Sequence, residues 1–252
     1  MNLAIPPSTI VAFLLVMTRL ITVFTVAPPF GGSLLPIRVR VAIAAAIALL
    51  IAPIQTADVP LDAGGLIGAI AYQVLVGAVF GYLIQLLLSA PLIAGMLIDN
   101  MAGLAAASLF DPMSNSSATP GGRLNQLIAT VLLVGLEGHL LIVRGVLRSY
   151  EAAPVSGLQI SSLDVVLTEG IGQLLLAAIE IALPLLVALL MTEAVLGLSA
   201  RAAPRLNVMI LGFAVKGVVF MLGFALTLPL LINAVSALLE RSLRWAITLS
   251  GG

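Results

Sequence analysis

Thirty-six consecutive residues, Ala63 to Ile98, carry no charged side chain. The run reads AGGLIGAIAYQVLVGAVFGYLIQLLLSAPLIAGMLI, with no period-2 alternation, so it predicts helix and not a lipid-facing strand. As one helix it would be ~54 Å long, whereas the hydrocarbon core of a bilayer is about 30 Å thick. Pro91 removes a backbone donor and crowds the preceding turn, and with Gly95 it marks the expected break.

The rest of the chain has the same character. Apolar segments cover roughly 8–27, 39–54, 63–110, 124–148, 168–200 and 206–239 of the 252 residues. Only 9% of residues are charged and the mean hydropathy is +1.23, where soluble domains carry about a quarter charged residues. So few charges cannot wet the surface of a soluble protein of this size. The expectation is an all-α, polytopic membrane-associated protein of kinked helices and helical hairpins.

Eleven basic residues balance eleven acidic ones, which gives no basic field for nucleic acid. With no cysteine there are no disulfides, thiolate ligands or iron–sulfur clusters, and no cofactor is expected. MNLAIPPST places no Lys or Arg before the first apolar run, and Arg19 falls inside that run. A cleaved signal peptide is therefore not expected.

Pro184 and Pro229 sit inside the last two apolar segments as Pro91 does in the third. Basic residues close four segments, as Arg38 and Arg40, Arg144 and Arg148, Arg201 and Arg205, and Arg241 and Arg244. If 168–200 and 206–239 each fold into a hairpin, these basic ends fall on one side, as the positive-inside tendency favours. The arms would then be about 15 residues, near 22 Å. Small residues are spaced for close helix contact in two G-x-x-x-G pairs, Gly64 with Gly68 and Gly77 with Gly81. Gly103 with Ala107, and the alternate alanines 42 to 48, extend the pattern. Such faces serve packing within the chain or against other subunits.

Charges at membrane depth are expensive and often functional. Here they are Arg19, Asp99, Glu137, His139, Glu180, Glu193 and Lys216. Glu137, Arg144 and Arg148 are spaced to share one helical face and read as an interfacial charge stripe. Arg19 lies beside Thr18, Thr22 and Thr25, whose hydroxyls could satisfy it or the neighbouring backbone. Glu180, Glu193 and Lys216 read either as pairs across helices or as a proton path. His139 is the single histidine, so a His-rich metal site is excluded and any Ser–His–Asp triad would have to use it. Its context, EGHLL, holds no nucleophile, and no G-x-S-x-G or phosphate-binding glycine loop is present. No internal repeat supports an inverted-repeat transporter. The chain is not expected to be an enzyme.

One stretch interrupts the apolar sequence with LFDPMSNSSATPGG, residues 109–122. Its Pro, Gly, Asp, Asn and Ser are turn formers, and as local conformation it is a loop.

Four segments, in order, resemble the FliR family, called SctT in virulence injectisomes. They are APPFGGSLLPIRVRVAIAAAIALLIAP (27–53), AGMLIDNMAGLAAASLFDPMSN (94–115), LEGHLLIVRGVLRSYEAAPV (136–155) and ALPLLVALLMTEAVLGLSARAAPRLNVMILGF (182–213). The resemblance rests most on Asp111 and Pro112 and on the Arg201, Ala202, Ala203, Pro204 block. Lys216 departs from it, standing where apolar residues are expected.

The resemblance implies a structural subunit of the flagellar type III protein export gate. With FliP-like and FliQ-like subunits it would form the channel that passes unfolded flagellar proteins across the bacterial inner membrane. Export proteins of the FlhB and FlhA type, the secreted chains and membrane lipid would be its other partners. The expected place is multi-pass in the inner membrane, at the flagellar basal body. It further implies an export-gate architecture over residues 1–252, FliP-like to about residue 200 and a FliQ-like hairpin from about 201 to 252. Phe110, Asp111, Pro112, Met113, Ser114 and Asn115 would form a gate or plug loop, the methionine giving adaptable seal contacts. Arg201, Pro204, Arg205, Glu137 and Arg144 are the subunit-interface candidates. Pro204 should end its helix at Ala203. Two other readings stand beside this one: a proton-coupled secondary transporter using Glu180, Glu193 and Lys216, and a membrane-embedded hydrolase built around His139.

Overall fold

The computed structural model describes residues 6–28, 30–31, 35–55, 62–104, 118–152, 163–203 and 208–248. Among them the regular elements are all helical: α1 (Pro7–Val26), α2 (Ile37–Ile51) with a 3-10 turn at Ala52–Ile54, α3 (Ala63–Ala102), α4 (Pro120–Gly135), α5 (Gly138–Ala152), α6 (Leu163–Ala202) and α7 (Val208–Thr248). Four stretches, Pro7–Val26, Ile37–Ile54, Ala63–Ala102 and Gly170–Ala202, are long and apolar enough to cross a membrane, and six qualify if two broken helices are counted. This is an all-α, polytopic membrane protein.

Local chemistry sets the helix ends. Pro7 occupies the first turn of α1, where its missing N–H leaves nothing unpaired. The Asp62 carboxylate accepts the Gly65 N–H at 2.8 Å, capping α3 as an acid at a helix start does. α6 ends at Ala202, with the Ala203 N–H still reaching the Ser199 carbonyl, as the following proline predicts.

The prolines do not all act as expected. α3 runs unbroken through Pro91 and α6 through Pro184, each over 40 residues. The break near Pro91 and the hairpin in 168–200 are therefore corrected. A proline inside a helix costs about 3 kcal/mol, and packing on both sides offsets that here. Ala90, Ala94, Ile98 and Ala102 are buried along α3, and Ile181, Ala182, Leu185 and Leu189 along α6. α7 yields instead. Its halves, Ile210–Ala225 and Thr227–Ala237, meet at 50°, beside the Ala225 carbonyl that Pro229 deprives of a helical donor. This is a kink and not the hairpin expected over 206–239. The apolar run 124–148 is likewise two helices. Leu136 and Glu137 part them, and Glu137 adopts φ +58°, a conformation that costs a non-glycine residue about 1 kcal/mol.

The chain forms two compact units. One comprises Met1–Leu87, Glu137–Ile171 and Leu239–Gly252, the other Leu88–Leu136 and Gly172–Leu238. Each has its own apolar core. In the first, Leu15, Leu20, Val23 and Phe24 of α1 pack with Ala44 and Ala48 of α2 and with Val146 and Tyr150 of α5. In the second, Ala94 and Ile98 of α3 pack with Ile181, Leu185 and Leu189 of α6 and Leu231 of α7. Of the two glycine pairs, Gly77 and Gly81 face α1: a Cβ on Gly77 would lie 2.8 Å from the Arg19 carbonyl oxygen. Gly68 has nothing within 4 Å. One pair serves contact within the chain, and Gly68 of the other remains open.

Candidate functional site

The polar 109–122 stretch is the candidate, and its two ends are fixed in the second unit. On the incoming side α3 stops at Gly103, whose φ of +80° suits glycine. One turn earlier the Asn100 amide donates to the Met96 carbonyl at 2.9 Å. On the outgoing side α4 begins at Pro120 with Thr119 as its N-cap, and the threonine makes no side-chain cap. Asp99 of α3 does so instead. Its Oδ2 accepts the Gly121 N–H at 2.7 Å and the Gly122 N–H at 3.3 Å. These are amide donors that a helix start leaves without internal partners, and a negative charge suits that end of the dipole.

Close backbone approach makes this possible. A Cβ on Gly95 would stand 2.6 Å from the Gly122 Cα, and one on Gly121 would run into the Asp99 carboxylate. Asp99 is fully buried, yet among the described residues its Oδ1 has no hydrogen-bond partner, and neither has the Thr119 hydroxyl. An unmet polar atom in such a place costs about 1–3 kcal/mol, which the cap and the glycine contact must exceed. The result is a clamp that holds the two ends of the intervening chain together.

Phe110, Asp111, Pro112, Met113, Ser114 and Asn115 lie outside the described residues, as do Pro204 and Arg205. Arg201 is exposed in the last turn of α6. Arg144 is exposed on α5. Glu137 precedes that helix in its left-handed turn, so the expected helical face of Glu137, Arg144 and Arg148 does not exist as drawn.

The remaining internal charges divide by their partners. Arg19 is fully buried in the first unit. Its Nε donates to Gln73 Oε1 at 2.6 Å, and its Nη1 to the Ser149 carbonyl at 3.0 Å and Ser149 Oγ at 3.2 Å. The guanidinium carbon stands 4.1 Å from the Tyr150 ring centre, within cation–π range. The Tyr150 hydroxyl closes the cluster by donating to the Val16 carbonyl at 3.0 Å. The neighbouring threonines satisfy only their own helix: Thr18, Thr22 and Thr25 each bond the carbonyl four residues back.

In the second unit Lys216 of α7 forms an ion pair with Glu193 of α6. The pair borders a recess of about 300 Å³ that Gly103, Leu196, Gly197, Gly212 and Phe213 also line. Glu193 and Lys216 are thus paired across helices, while Glu180 stands apart and exposed. His139 is half-buried, and its Nδ1 has no partner among the described residues. Among the described residues no group of three His, Asp or Glu could hold a metal ion.

Sequence reasoning singled out Asp99 and Arg19 but not their partners. The signals were present in retrospect. Two glycines directly after Thr119 and Pro120 permit a close backbone approach at the helix start, and Gln73 is one of few strong hydrogen-bonding side chains in the charge-free run.

The model of the bacterial export proteins, family 1, matches residues 10–242. The chain is 28% identical over 215 residues to the flagellar biosynthetic protein FliR of Pectobacterium carotovorum subsp. carotovorum, covering 84% of this chain and 82% of that protein. It is 29% identical over 223 residues to the FliR of Escherichia coli strain K12, covering 88% and 81%. It is 29% identical over 222 residues to the Yop proteins translocation protein T of Yersinia pestis, covering 83% of each.

Proposed function

The chain belongs to the bacterial export proteins, family 1, and on that premise we propose that it is a component of a type III protein export apparatus. In this reading it joins FliP-like and FliQ-like subunits in the bacterial inner membrane. Together they form the gate through which unfolded secreted proteins leave the cytoplasm. Proteins of the FlhB and FlhA type are its neighbours in a flagellar basal body. Its role is structural and non-enzymatic.

What carries the reading is the extent of the match, which reaches from α1 into α7. The relatives named for flagellar biosynthesis and for Yop translocation support it from two kinds of system. We further propose a division into a FliP-like part to about residue 200 and a FliQ-like part from about 201, at the last turn of α6. The segment Phe110 to Asn115 is the plug of the gate, and the Asp99 clamp fixes the base from which it extends. Arg201, Pro204, Arg205, Glu137 and Arg144 contact other subunits.

Co-expression with FliP-like and FliQ-like proteins tests this reading. A stable complex containing all three chains is expected, with the chain alone aggregating in mild detergent because its small-residue faces and internal charges need protein neighbours. A monodisperse monomer that binds neither partner and moves a small solute alone in liposomes would replace the gate with a transporter.

A further inference from the structure

α6 carries an apolar side that the described residues of the chain leave exposed. Leu176, Ile179, Leu183, Val187 and Leu190 recur at intervals of three and four residues, so they line one side of the helix. Each is between 45% and 58% exposed. Lipid alone would account for such a side. It does not account for Glu180, which stands on that side between Ile179 and Leu183 and is exposed as well. No described residue partners its carboxylate: the ion pair of this helix is made by Glu193, which is held by Lys216.

Four residues further along the same helix stands Pro184, also exposed. The helical bond to the Glu180 carbonyl would come from the N–H of residue 184, and proline has none. The main-chain carbonyl of Glu180 thus lacks its usual helical donor, beside a carboxylate that no described residue partners, inside a 33-residue apolar span. In hydrocarbon each of them is costly. One group that meets both must bring a positive charge and several donors. A guanidinium does so, with five N–H groups in a fixed fork.

We propose that this side of α6 seats a membrane-embedded helix of a partner subunit, and that an arginine of that helix binds Glu180 through its carboxylate and its open carbonyl. The proposal rests on the export-gate reading, because it needs a partner subunit. A second copy of this chain fits less well. Of the arginines in the helices that qualify as unbroken spans, Arg19 is buried and committed, Arg38 and Arg40 lie in the first turn of α2, and Arg201 lies in the last turn of α6, so none stands exposed in the middle of a span as Glu180 does.

The test places a photo-activated cross-linking amino acid at Leu183 in the full chain, co-expressed with FliP-like, FliQ-like and FlhB-like subunits. The expected result is an adduct to one partner subunit, next to an arginine. Glu180→Lys should lower that adduct by roughly tenfold or more, as loss of a desolvated charge pair does. Replacing the partner arginine by glutamate should restore it. Glu180→Gln keeps the shape of the side chain, guards against misfolding of the lysine variant, and should lower the adduct by a smaller factor. An undiminished adduct with Glu180→Gln and Glu180→Lys overturns the proposal, as does a Leu183 probe that joins only lipid or a second copy of the chain. Wild-type chain that assembles with no subunit overturns both this proposal and the gate reading. Wild-type chain that assembles normally while the probe finds only lipid overturns this proposal alone.

Discussion

Arg19 and Asp99 are both fully buried charges in apolar helices, and the two units treat them in opposite ways. Arg19 reaches side chains far along the chain, Gln73 of α3 and Ser149 and Tyr150 of α5, and ties three helices into one core. Among the described residues Asp99 reaches only the main chain of the next helix, at Gly121 and Gly122, and leaves one oxygen unmet. A buried charge with many side-chain partners fixes a core, because removing it strands every partner at once. A buried charge spent on a helix start fixes a place where chain enters and leaves. The first belongs to the scaffold, the second to the proposed plug.

The contrast fails first at Arg19. Arg19→Met would remove the hydrogen bonds to Gln73 and Ser149 and the contact with the Tyr150 ring, and destabilise the first unit by about 3 kcal/mol or more. Thermal aggregation of the assembled complex in detergent should shift well below wild type. A variant as stable as wild type would show that the cluster does not hold the core.

Gly95→Ala comes next. Its new methyl meets the Gly122 main chain, which cannot swing aside as a side-chain tip can. The cost should be about 1–3 kcal/mol, read by the same assay, with Gly68→Ala as the neutral control because nothing lies near it. Equal behaviour of the two variants would remove the close crossing from the account.

The smallest stability effect belongs to Asp99→Asn, which keeps an acceptor for Gly121 while losing the charge. About 1 kcal/mol is expected, the usual worth of a helix cap. The complex should still form, and its ion leak should rise. Unchanged stability together with an unchanged leak would separate the clamp from the plug.

Much of this was legible in the sequence, and what was not has physical causes. Hydropathy and the lack of period-2 alternation gave the helices and the membrane. The residue before Pro204 gave the end of α6. The unbroken course of α3 and α6 was hidden, because a proline's cost is local whereas the packing of Ala94 or Leu185 that offsets it comes from other helices. The split at Glu137 was hidden too, since a left-handed turn at a glutamate has no strong sequence signal. Arg19 and Gln73 stand 54 residues apart, and Asp99 and Gly121 stand 22 apart. No periodicity links such pairs, so the charges could be found while their partners could not.

The proposed gate closes through the segment between the clamped helices, and the direct measurement is membrane conductance in cells whose chain lacks Met113 to Ala118. Shortening a free surface loop changes stability by only about 0.6 kcal/mol per halving, and α3 and α4 keep their Asp99 contact, so the complex should assemble. With the proposed plug removed, assembled complexes should leak ions and slow growth in the absence of secretion. Complexes recovered at wild-type levels with wild-type conductance would contradict the claim that this segment closes the gate.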